Sequence, residues 1–383
     1  MIQTATGIMI SYLITFFLLP FVIKIARVNK LYDVPDERKT HTDPISSLGG
    51  IGIFFGLMLS LLLVSDFKTF SAEFQYYLAA FFVIFIMGVI DDIFVLTAWK
   101  KVFGQFAVAI ILTLKAHLLI TNLHGFMGVY ALSEMESHII TFFSIILIIN
   151  SFNLIDGVDG LAASLGLFSC ILFGLFFLLN NNIAFALLGF SMSGALLAFL
   201  IYNFPPARIF MGDSGSTLLG LVNAVLIIKF VESANTAESF AVHSAPAIGF
   251  GILLIPLMDV LRVFVLRLVN KKSPIAPDRN HLHHVLLNKA YTHTRVTITI
   301  LIFALLFAAV SFLMQNLNIN IIVTSQFALF FAGVFLFKRF LPARNRLHIV
   351  TGEMEEQVEE DDDDDVKVYT IYRPKEKVSI NEE

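Results

Sequence analysis

The fold is decided by residues 142–179, FFSIILIINSFNLIDGVDGLAASLGLFSCILFGLFFLL, where a short polar segment separates two long apolar runs. Each run approaches the roughly 17–25 residues with which an α-helix crosses a bilayer. Hydrocarbon offers the backbone no hydrogen-bond partners, and the runs lack the alternation of barrel strands, so both are predicted to be helices. The polar segment NLIDGVDG, 153–160, is predicted to be a loop between them at the membrane surface.

The whole chain repeats this pattern. Of its 383 residues, 57% are hydrophobic and 15% are charged, and the mean hydropathy is +0.80. This composition excludes a soluble protein and predicts an all-α polytopic integral membrane protein with about eleven transmembrane helices. The predicted spans are 7–24, 48–65, 76–93, 101–120, 138–152, 160–179, 182–202, 215–231, 245–267, 295–314 and 319–337.

Charge predicts the orientation. Lys24, Arg27 and Lys30 follow the first span, and most other Lys and Arg residues lie after odd-numbered spans or in the C-terminal tail. The positive-inside rule then places the N-terminus outside and the C-terminus in the cytoplasm. Residues 1–340 are predicted to form one membrane-embedded domain, and 341–383 a disordered, acidic cytoplasmic tail. The single cysteine lies in mid-span and is predicted to be an inert apolar residue.

The conspicuous polar clusters all fall on the predicted cytoplasmic side. Independent structural charges would have no reason to share one side, so the clusters predict a single site open to the cytoplasm. Because they lie at helix ends and not near the midplane, they favour an interfacial enzyme over a transporter, although a transporter with a wide vestibule stays open. The clusters are 34–44, Asp91 and Asp92 with Lys100 and Lys101, 150–160, 203–216 and 277–284.

The central cluster carries four polar side chains at a spacing of three. On a helical turn these would share one face, and Gly157 would let the backbone approach a ligand closely. For any one of them alone, a helix cap or a turn is the simpler interpretation. The four are Asn150, Asn153, Asp156 and Asp159.

Two further motifs supply carboxylates. MGDSGS, 211–216, offers Asp213 as a hard oxygen ligand of the kind that Mg²⁺ prefers together with phosphate oxygens; a helix cap is the alternative. Asp91 and Asp92 are adjacent, about 100° apart on a helix, so both cannot face one partner. One is expected to serve the site and the other to hold the loop, and a simple terminal charge pair remains open.

The last cluster, PDRNHLHH, is cationic. Its Arg279, His281, His283 and His284 suit diphosphate recognition, with zinc binding as the alternative. Lys39, with Arg38 and His41, forms a second cationic group that is expected to meet a phosphate at the membrane surface. Carboxylates for Mg²⁺, cations for phosphates and a lipid-exposed position together suit phosphoryl transfer between a soluble phosphate ester and a membrane lipid.

At these residues the chain resembles the polyprenyl-phosphate N-acetylhexosamine-1-phosphate transferases, an integral-membrane enzyme family. The resemblance covers residues 1 to about 340 in motif order, and only the acidic tail departs from it. The motifs that carry it are D-x-R-K-x-H with GG at 49–50, DD, NxxNLxDGxDGLA, NxxPAxxFMGDSGS and HxHH.

The resemblance implies a Mg²⁺-dependent reaction, with Mn²⁺ as a substitute. A polyprenyl phosphate, expected to be undecaprenyl phosphate, attacks the β-phosphorus of a UDP-N-acetylhexosamine and releases UMP. Asp213 and Asn153 then resemble metal-site residues, Asp159 and Gly157 the uridine side, and Asp91 the group that orients or deprotonates the lipid phosphate. Asp92 beside Asp91, Asp156 in support and Lys39 as the cation for the lipid phosphate would complete the catalytic set. Asn150 would bind substrate, and Arg279 with His281, His283 and His284 would address diphosphate and sugar.

HxHH in the last loop resembles the GlcNAc branch of the family, which makes UDP-GlcNAc the expected donor. Another UDP-HexNAc or UDP-MurNAc-pentapeptide stays open, as does a nucleotide-sugar transporter. The resemblance further implies the bacterial inner membrane, a cell-envelope polysaccharide pathway, no nucleic-acid partner and, by analogy, a homodimer.

Overall fold

A computed structural model gives the protein as a bundle of α-helices with two small two-stranded sheets. It describes residues 1–31, 45–65, 73–94, 96–271, 281–288, 291–340, 346–350 and 368–372. In chain order the elements are α1 (Ile2–Val28), α2 (Gly49–Val64), α3 (Phe74–Phe94), α4 (Ala98–Ile110) continued by a π-helical turn (Ile111–Lys115), β1 (Asn122–Phe126), β2 (Val129–Ala131), α5 (Glu134–Ile155), α6 (Leu161–Leu179), α7 (Ile183–Asn203), α8 (Gly212–Ser233) with a 3₁₀ turn (Ala234–Thr236), α9 (Ala245–Ile252), α10 (Leu254–Val269), α11 (Leu282–Asn288), α12 (His293–Leu313), α13 (Ile319–Phe340), β3 (Arg346–Val350) and β4 (Val368–Tyr372).

Each predicted span falls mainly on helix, which confirms the all-α class, although the helix of span 101–120 ends at Lys115. Among the described residues, eight helices are long and apolar enough to cross a membrane, and α2 is apolar but shorter. The predicted span 245–267 is divided into α9 and α10 at Leu253. Pro256 supplies a reason for this break, because proline has no N–H to continue the hydrogen-bond ladder of the preceding turn. The number of crossings and the orientation of the termini therefore stay predictions.

Helix α8 forms the centre of the bundle, and the other helices pack around it. Its apolar window is 94% buried, whereas that of α1 is 22% buried. Two glycines on neighbouring helices allow the close approach: Gly50 of α2 lies against the backbone of Gly215, and Gly88 of α3 lies against Ser214. The start of α8 is thus held between α2 and α3, which fixes the position of Asp213 in its first turn.

Polar groups from several helices meet at one end of this bundle. The carboxyl-terminal part of α5 reaches the start of α8, where Asn153 donates to Asp213. The end of α7 likewise meets the loop before α6, where the Gly160 amide donates to Asn203 at 2.8 Å. The prediction that the clusters share one side of the protein is confirmed for the described residues.

The opposite end of the bundle is closed by the β1–β2 hairpin. The amide and hydroxyl of Thr121 both donate to Glu232 near the end of α8, each at 2.8 Å. The Met127 amide at the hairpin tip donates to Asn320 at the start of α13. The hairpin therefore ties the ends of α8 and α13 together, far along the helices from the polar clusters.

Two strands occur inside the tail that was predicted to be disordered. Strands β3 and β4 pair in parallel from Arg346 and Val368 to Val350 and Tyr372. RLHIV and VYTIY contain β-branched and aromatic residues that favour strands, and the disorder predicted for the tail as a whole stays a prediction. The acidic run between them lies outside the described residues.

Replacing Gly88 by alanine is expected to destabilise the protein. The new Cβ would lie 2.5 Å from the Ser214 amide nitrogen and 2.8 Å from the Asp213 carbonyl carbon, and backbone cannot move aside cheaply. Thermal unfolding in detergent should show a loss of about 1–3 kcal/mol or more. Gly174→Ala is the matched control, because its Cβ would meet Phe190 at an ordinary 3.5 Å. Equal melting temperatures for the two variants would contradict this account of the α3–α8 contact.

Candidate active site

Asp92 fastens the end of α3 to the start of α8. Its carboxylate accepts the backbone N–H groups of Asp213 at 2.7 Å and Ser214 at 3.1 Å, together with the Ser214 hydroxyl at 2.6 Å. The first N–H groups of a helix have no partner within the helix and carry its positive dipole end, so a carboxylate there is strongly favoured. The structure therefore places Asp92 in the holding position that the sequence assigned to one member of the pair.

Asp91 points to a different partner, as the 100° offset requires. Lys101 in the first turn of α4 forms an ion pair with Asp91 and another with Asp213, the latter at 2.6 Å between Nζ and Oδ2. Asp91 also accepts the Leu96 amide at 2.6 Å. Two carboxylates from different helices thus share one cation.

This trio lines a small polar cavity of about 40 Å³. Asn153 donates to Asp213 at 2.8 Å and to the Ser216 hydroxyl at 3.0 Å. Asn150 also lines the cavity and exchanges two hydrogen bonds with Gln105 of α4. The cavity therefore joins four of the predicted site residues, Asp91, Asn150, Asn153 and Asp213, to Lys101 and Gln105.

The donor atoms of this cavity fit a divalent cation. Asp91 and Asp213 already surround one cation, the Lys101 ammonium, with hard carboxylate oxygens. Mg²⁺ typically takes one or two carboxylates and completes its shell with water and phosphate oxygens. Within the described residues no group of three or more His, Cys, Asp or Glu side chains is placed to hold a metal, so the remaining ligands would come from amides, water or substrate.

A second cluster lies beside the glycine loop. The rings of His281 and His283 stack with centroids 5.7 Å apart and planes 7° apart, and His284 follows at 4.3 Å from His283. A Cβ on Gly157 would lie 2.5 Å from Nε2 of His283. The loop therefore needs glycine here because the imidazole of His283 occupies the space of a side chain.

Asp159 is anchored within this second cluster. Its carboxylate lies 3.3 Å from Nδ1 of His293 at the start of α12, and its carbonyl accepts the Thr297 hydroxyl at 3.0 Å. Helix α12 therefore fixes the end of the loop that was predicted to meet uridine.

Asp156 lies between the two clusters, just after the last residue of α5. Burial raises the pKa of Asp156 well above its ordinary value, and the negative charges of Asp213, Asp92 and Asp159 raise it further. In the histidine cluster, burial lowers the pKa of His283 to about 3, with the neighbouring His284 adding to the effect. His283 is therefore a neutral imidazole near pH 7, and charge for a phosphate has to come from other groups.

An apolar groove of about 400 Å³ adjoins the polar cavity. Met87 and Leu96 line both, so the two spaces are neighbours. The side chains of Trp99 and Phe103 on α4 are 76% and 77% exposed in the absence of lipid, and they form the groove together with Ile90 and Lys100. A ligand with a long apolar chain and a polar head could place its chain in this groove and its head in the polar cavity.

The structure brings most of the predicted residues together, in two adjoining groups. Lys39 and Arg279 lie outside the described residues, and their roles stay predictions. The first group contains Asp91, Asn150, Asn153 and Asp213 with Asp92 behind them, and the second contains Gly157, Asp159, His281, His283 and His284, with Asp156 between the groups.

Sequence reasoning missed several residues of this end. Lys101 was considered only as a nearby cation, and Gln105, His293 and Asp259 were not identified. Asp259 accepts from the Leu282 amide and contacts His281. A signal existed for Asp259, since a carboxylate within the apolar run 245–267 is unusual. His293 carries no such signal because it is the first residue of α12, and Gln105 carries none because it is an uncharged residue in the middle of α4.

The helices are long enough to cross a membrane, and the polar site is confined to their ends. The protein is therefore a polytopic membrane protein whose site lies at one edge of the helical bundle. Residues 74–231 match the family described as Glycosyl transferase family 4. The chain is 31% identical over 310 residues to the decaprenyl-phosphate N-acetylglucosaminephosphotransferase of Mycobacterium leprae (strain TN), covering 75% of this chain and 78% of that protein.

Two enterobacterial relatives are similar over a longer part of the chain. Both are undecaprenyl-phosphate alpha-N-acetylglucosaminyl 1-phosphate transferases. That of Escherichia coli O157:H7 is 27% identical over 320 residues, 82% of this chain and 85% of the relative. That of Yersinia pestis is 28% identical over 326 residues, 83% and 86% of the two chains. The chain belongs to the polyprenyl-phosphate N-acetylhexosamine-1-phosphate transferase family, which confirms the resemblance that its motifs carry.

Replacing Asp156 by asparagine is expected to stabilise the protein in a pH-dependent manner. A carboxyl group with a raised pKa binds its proton more tightly in the folded state, so stability falls as pH rises above the ordinary Asp pKa. Asparagine has no ionisable carboxyl group, so the variant does not lose this stability as pH rises. Thermal unfolding in EDTA should show a gain of a few degrees at pH 8 and a smaller gain at pH 4. Glu238→Gln changes an exposed carboxylate and serves as the control; a gain from Asp156→Asn that does not depend on pH would refute the electrostatic cause.

Proposed function

We propose that the protein transfers GlcNAc-1-phosphate from UDP-GlcNAc to a polyprenyl phosphate, expected to be undecaprenyl phosphate, in the cytoplasmic membrane of a bacterium. The observation that supports this proposal is the position of the Asp91–Lys101–Asp213 trio directly beside an apolar groove. A soluble nucleotide sugar has no need of such a groove. A phosphorylated lipid needs both spaces, one for its chain and one for its phosphate.

The chemistry is a phosphoryl transfer. An oxygen of the lipid phosphate forms a bond to the β-phosphorus of the donor, and the bond from that phosphorus to the bridging oxygen breaks, so UMP leaves with the bridging oxygen. A phosphate monoester is already largely ionised near neutral pH, so positioning and charge neutralisation contribute more than a strong base. Asp91 is therefore proposed to orient the acceptor and the cation, and not to act mainly as a base.

The chain's own groups would meet these needs as follows. Lys101, held between Asp91 and Asp213, supplies a positive charge to the polar cavity. Asn153 holds Asp213, and Asp92 holds the backbone that carries it. Mg²⁺ bound by Asp213 and Asp91 would neutralise the diphosphate against which the anionic acceptor must move. Asp156, Asp159 and the histidine cluster (His281, His283 and His284) would bind the nucleotide and the sugar.

UDP-GlcNAc is proposed as the donor because HxHH resembles the motif of the GlcNAc branch and because the relatives' names specify N-acetylglucosamine. The cytoplasmic orientation is supported by the distribution of Lys and Arg. A cell-envelope polysaccharide pathway would use the lipid-linked product.

Purified protein with undecaprenyl phosphate and Mg²⁺ is expected to move label from UDP-GlcNAc into lipid and to release an equal amount of UMP. Asp213→Ala should lower this turnover on the order of 10³-fold or more, since a charge-stabilising group is removed. Glu232→Gln, which changes a carboxylate at the opposite end, is the control. Inside-out vesicles should react with added donor, whereas right-side-out vesicles should not.

Three outcomes would change the proposal. Transfer only from UDP-MurNAc-pentapeptide or UDP-GalNAc would overturn the donor but keep the chemistry. Uptake of intact UDP-sugar without UMP would replace the enzyme by a transporter. Near-normal turnover in Asp213→Ala would remove Asp213 from the metal site.

The groove has its own test. The double variant Trp99→Ala, Phe103→Ala should raise the KM for undecaprenyl phosphate roughly 10-fold, because each aromatic side chain contributes burial against the chain, and should leave the KM for UDP-GlcNAc unchanged. Phe21→Ala is the control, since Phe21 on α1 is similarly exposed at 64%. A change in the KM of the donor alone would show that the groove does not hold the acceptor.

A further inference from the structure

Asp259 is a buried carboxylate that the proposed reaction does not yet use. It lies within α10, and only 1% of its surface is exposed. A carboxylate is seldom buried without several charged or hydrogen-bonding partners, because its desolvation is costly. Its partners therefore indicate why it is retained in a largely apolar helix.

Both oxygens of Asp259 reach the start of α11. Oδ2 lies 2.9 Å from Nδ1 of His281, and Oδ1 accepts the backbone amide of Leu282 at 2.8 Å. Arg262, one turn further along α10, donates to Oδ1 at 3.2 Å. The carboxylate thus holds the ring of one residue and the backbone of the next.

A simple stabilising ion pair would account for only part of this arrangement. Arg262, on the same helix, already forms an ion pair with this carboxylate, with 3.2 Å between Nη2 and Oδ1. The two bonds to consecutive residues of the HxHH motif fix both the position of the chain and the rotation of the His281 ring. They match the way in which a carboxylate orients a functional imidazole through the nitrogen that faces away from the ligand.

The orientation of the His281 ring also affects its neighbours in the site. The His281 ring is stacked on His283, and His283 fills the space over Gly157. A carboxylate can only accept, so Nδ1 of His281 carries a proton in this contact. Nε2 is then the ring nitrogen left to meet a ligand.

We propose that Asp259 is a positioning residue of the transferase: it holds His281 with a proton on Nδ1 and so presents Nε2 to the sugar-nucleotide donor. The part that concerns the donor rests on the proposed function. The part that concerns the proton does not, and the two can be tested separately.

Nitrogen NMR of ¹⁵N-histidine-labelled protein in bilayers tests the proton directly. The His281 signal is assigned by its loss in His281→Gln, and wild type should show a protonated Nδ1. In Asp259→Asn, Oδ1 is still needed by the Leu282 amide and Arg262, so the amide NH₂ faces His281 and the proton should move to Nε2. A wild-type Nδ1 without a proton, or the same tautomer in both proteins, would overturn the proposal whether or not any transfer is measured.

Kinetics test the effect on the donor. Asp259→Asn should raise the KM for UDP-GlcNAc about 10-fold and leave the KM for the lipid acceptor unchanged, while Glu232→Gln should resemble wild type. In the His281→Gln background, Asp259→Asn should add little, because its effect passes through that ring. If the KM increases caused by Asp259→Asn and His281→Gln instead multiply in the double variant, Asp259 acts independently of His281. That result would show a structural role and refute the proposal.

The variant proteins are first compared by thermal unfolding. If Asp259→Asn unfolds, Asp259→Glu is used in its place: the longer carboxylate keeps the charge but moves the ring, so it should keep Nδ1 protonated and still raise the KM for the donor. A wild-type KM in Asp259→Glu, together with a displaced His281 signal, would equally overturn the proposal. Absence of any transfer by wild type would refute the proposed function alone, because the NMR result stands independently.

Discussion

The site depends on one interaction, the capping of α8 by Asp92. Helix α8 is buried along almost its whole length, so water cannot satisfy the N–H groups at its start as it could on an exposed helix. Asp92 accepts two of them and the Ser214 hydroxyl as well. Because Asp92 is committed in this way, its neighbour Asp91 is turned toward the cavity, where it meets Asp213 across Lys101.

The close contact of α2, α3 and α8 makes this arrangement possible. Gly50 and Gly88 bring two backbones against the first turn of α8, and Gly212, the first residue of that turn, has a φ of 72°. A positive φ is readily adopted by glycine and rarely by other residues. Small residues here therefore serve the placement of charged groups as much as the packing of helices.

The clusters of carboxylates and histidines form one electrostatic unit. Asp91, Asp92, Asp156, Asp159 and Asp213 lie at a single end of the bundle, and burial, together with the charges of Asp213, Asp92 and Asp159, raises the pKa of Asp156. Lys101 offsets part of this charge. Under the proposed function, such a site would attract cations and, through them, the phosphates of a substrate, whereas the apolar groove beside it would accept a hydrocarbon chain. A water-soluble donor and a lipid acceptor would then meet without either leaving its own phase.

The sequence by itself determined the class of fold, the family and most of the candidate site. Apolar runs of membrane length have to form helices, because hydrocarbon offers their backbone no other hydrogen-bond partners. Clusters such as NLIDGVDG and MGDSGS are too polar to lie within those runs. Which member of an adjacent pair faces the cavity, however, depends on what surrounds each side chain. Local sequence could state that Asp91 and Asp92 diverge but not which one caps α8.

Tertiary structure alone decided the partners that come from distant parts of the chain. Lys101 joins Asp91 to Asp213, His293 reaches Asp159, and Asp259 reaches His281, each across an interval that no spacing rule covers. Periodicity reports which residues share a face of one helix, whereas these contacts depend on how different helices are arranged around α8.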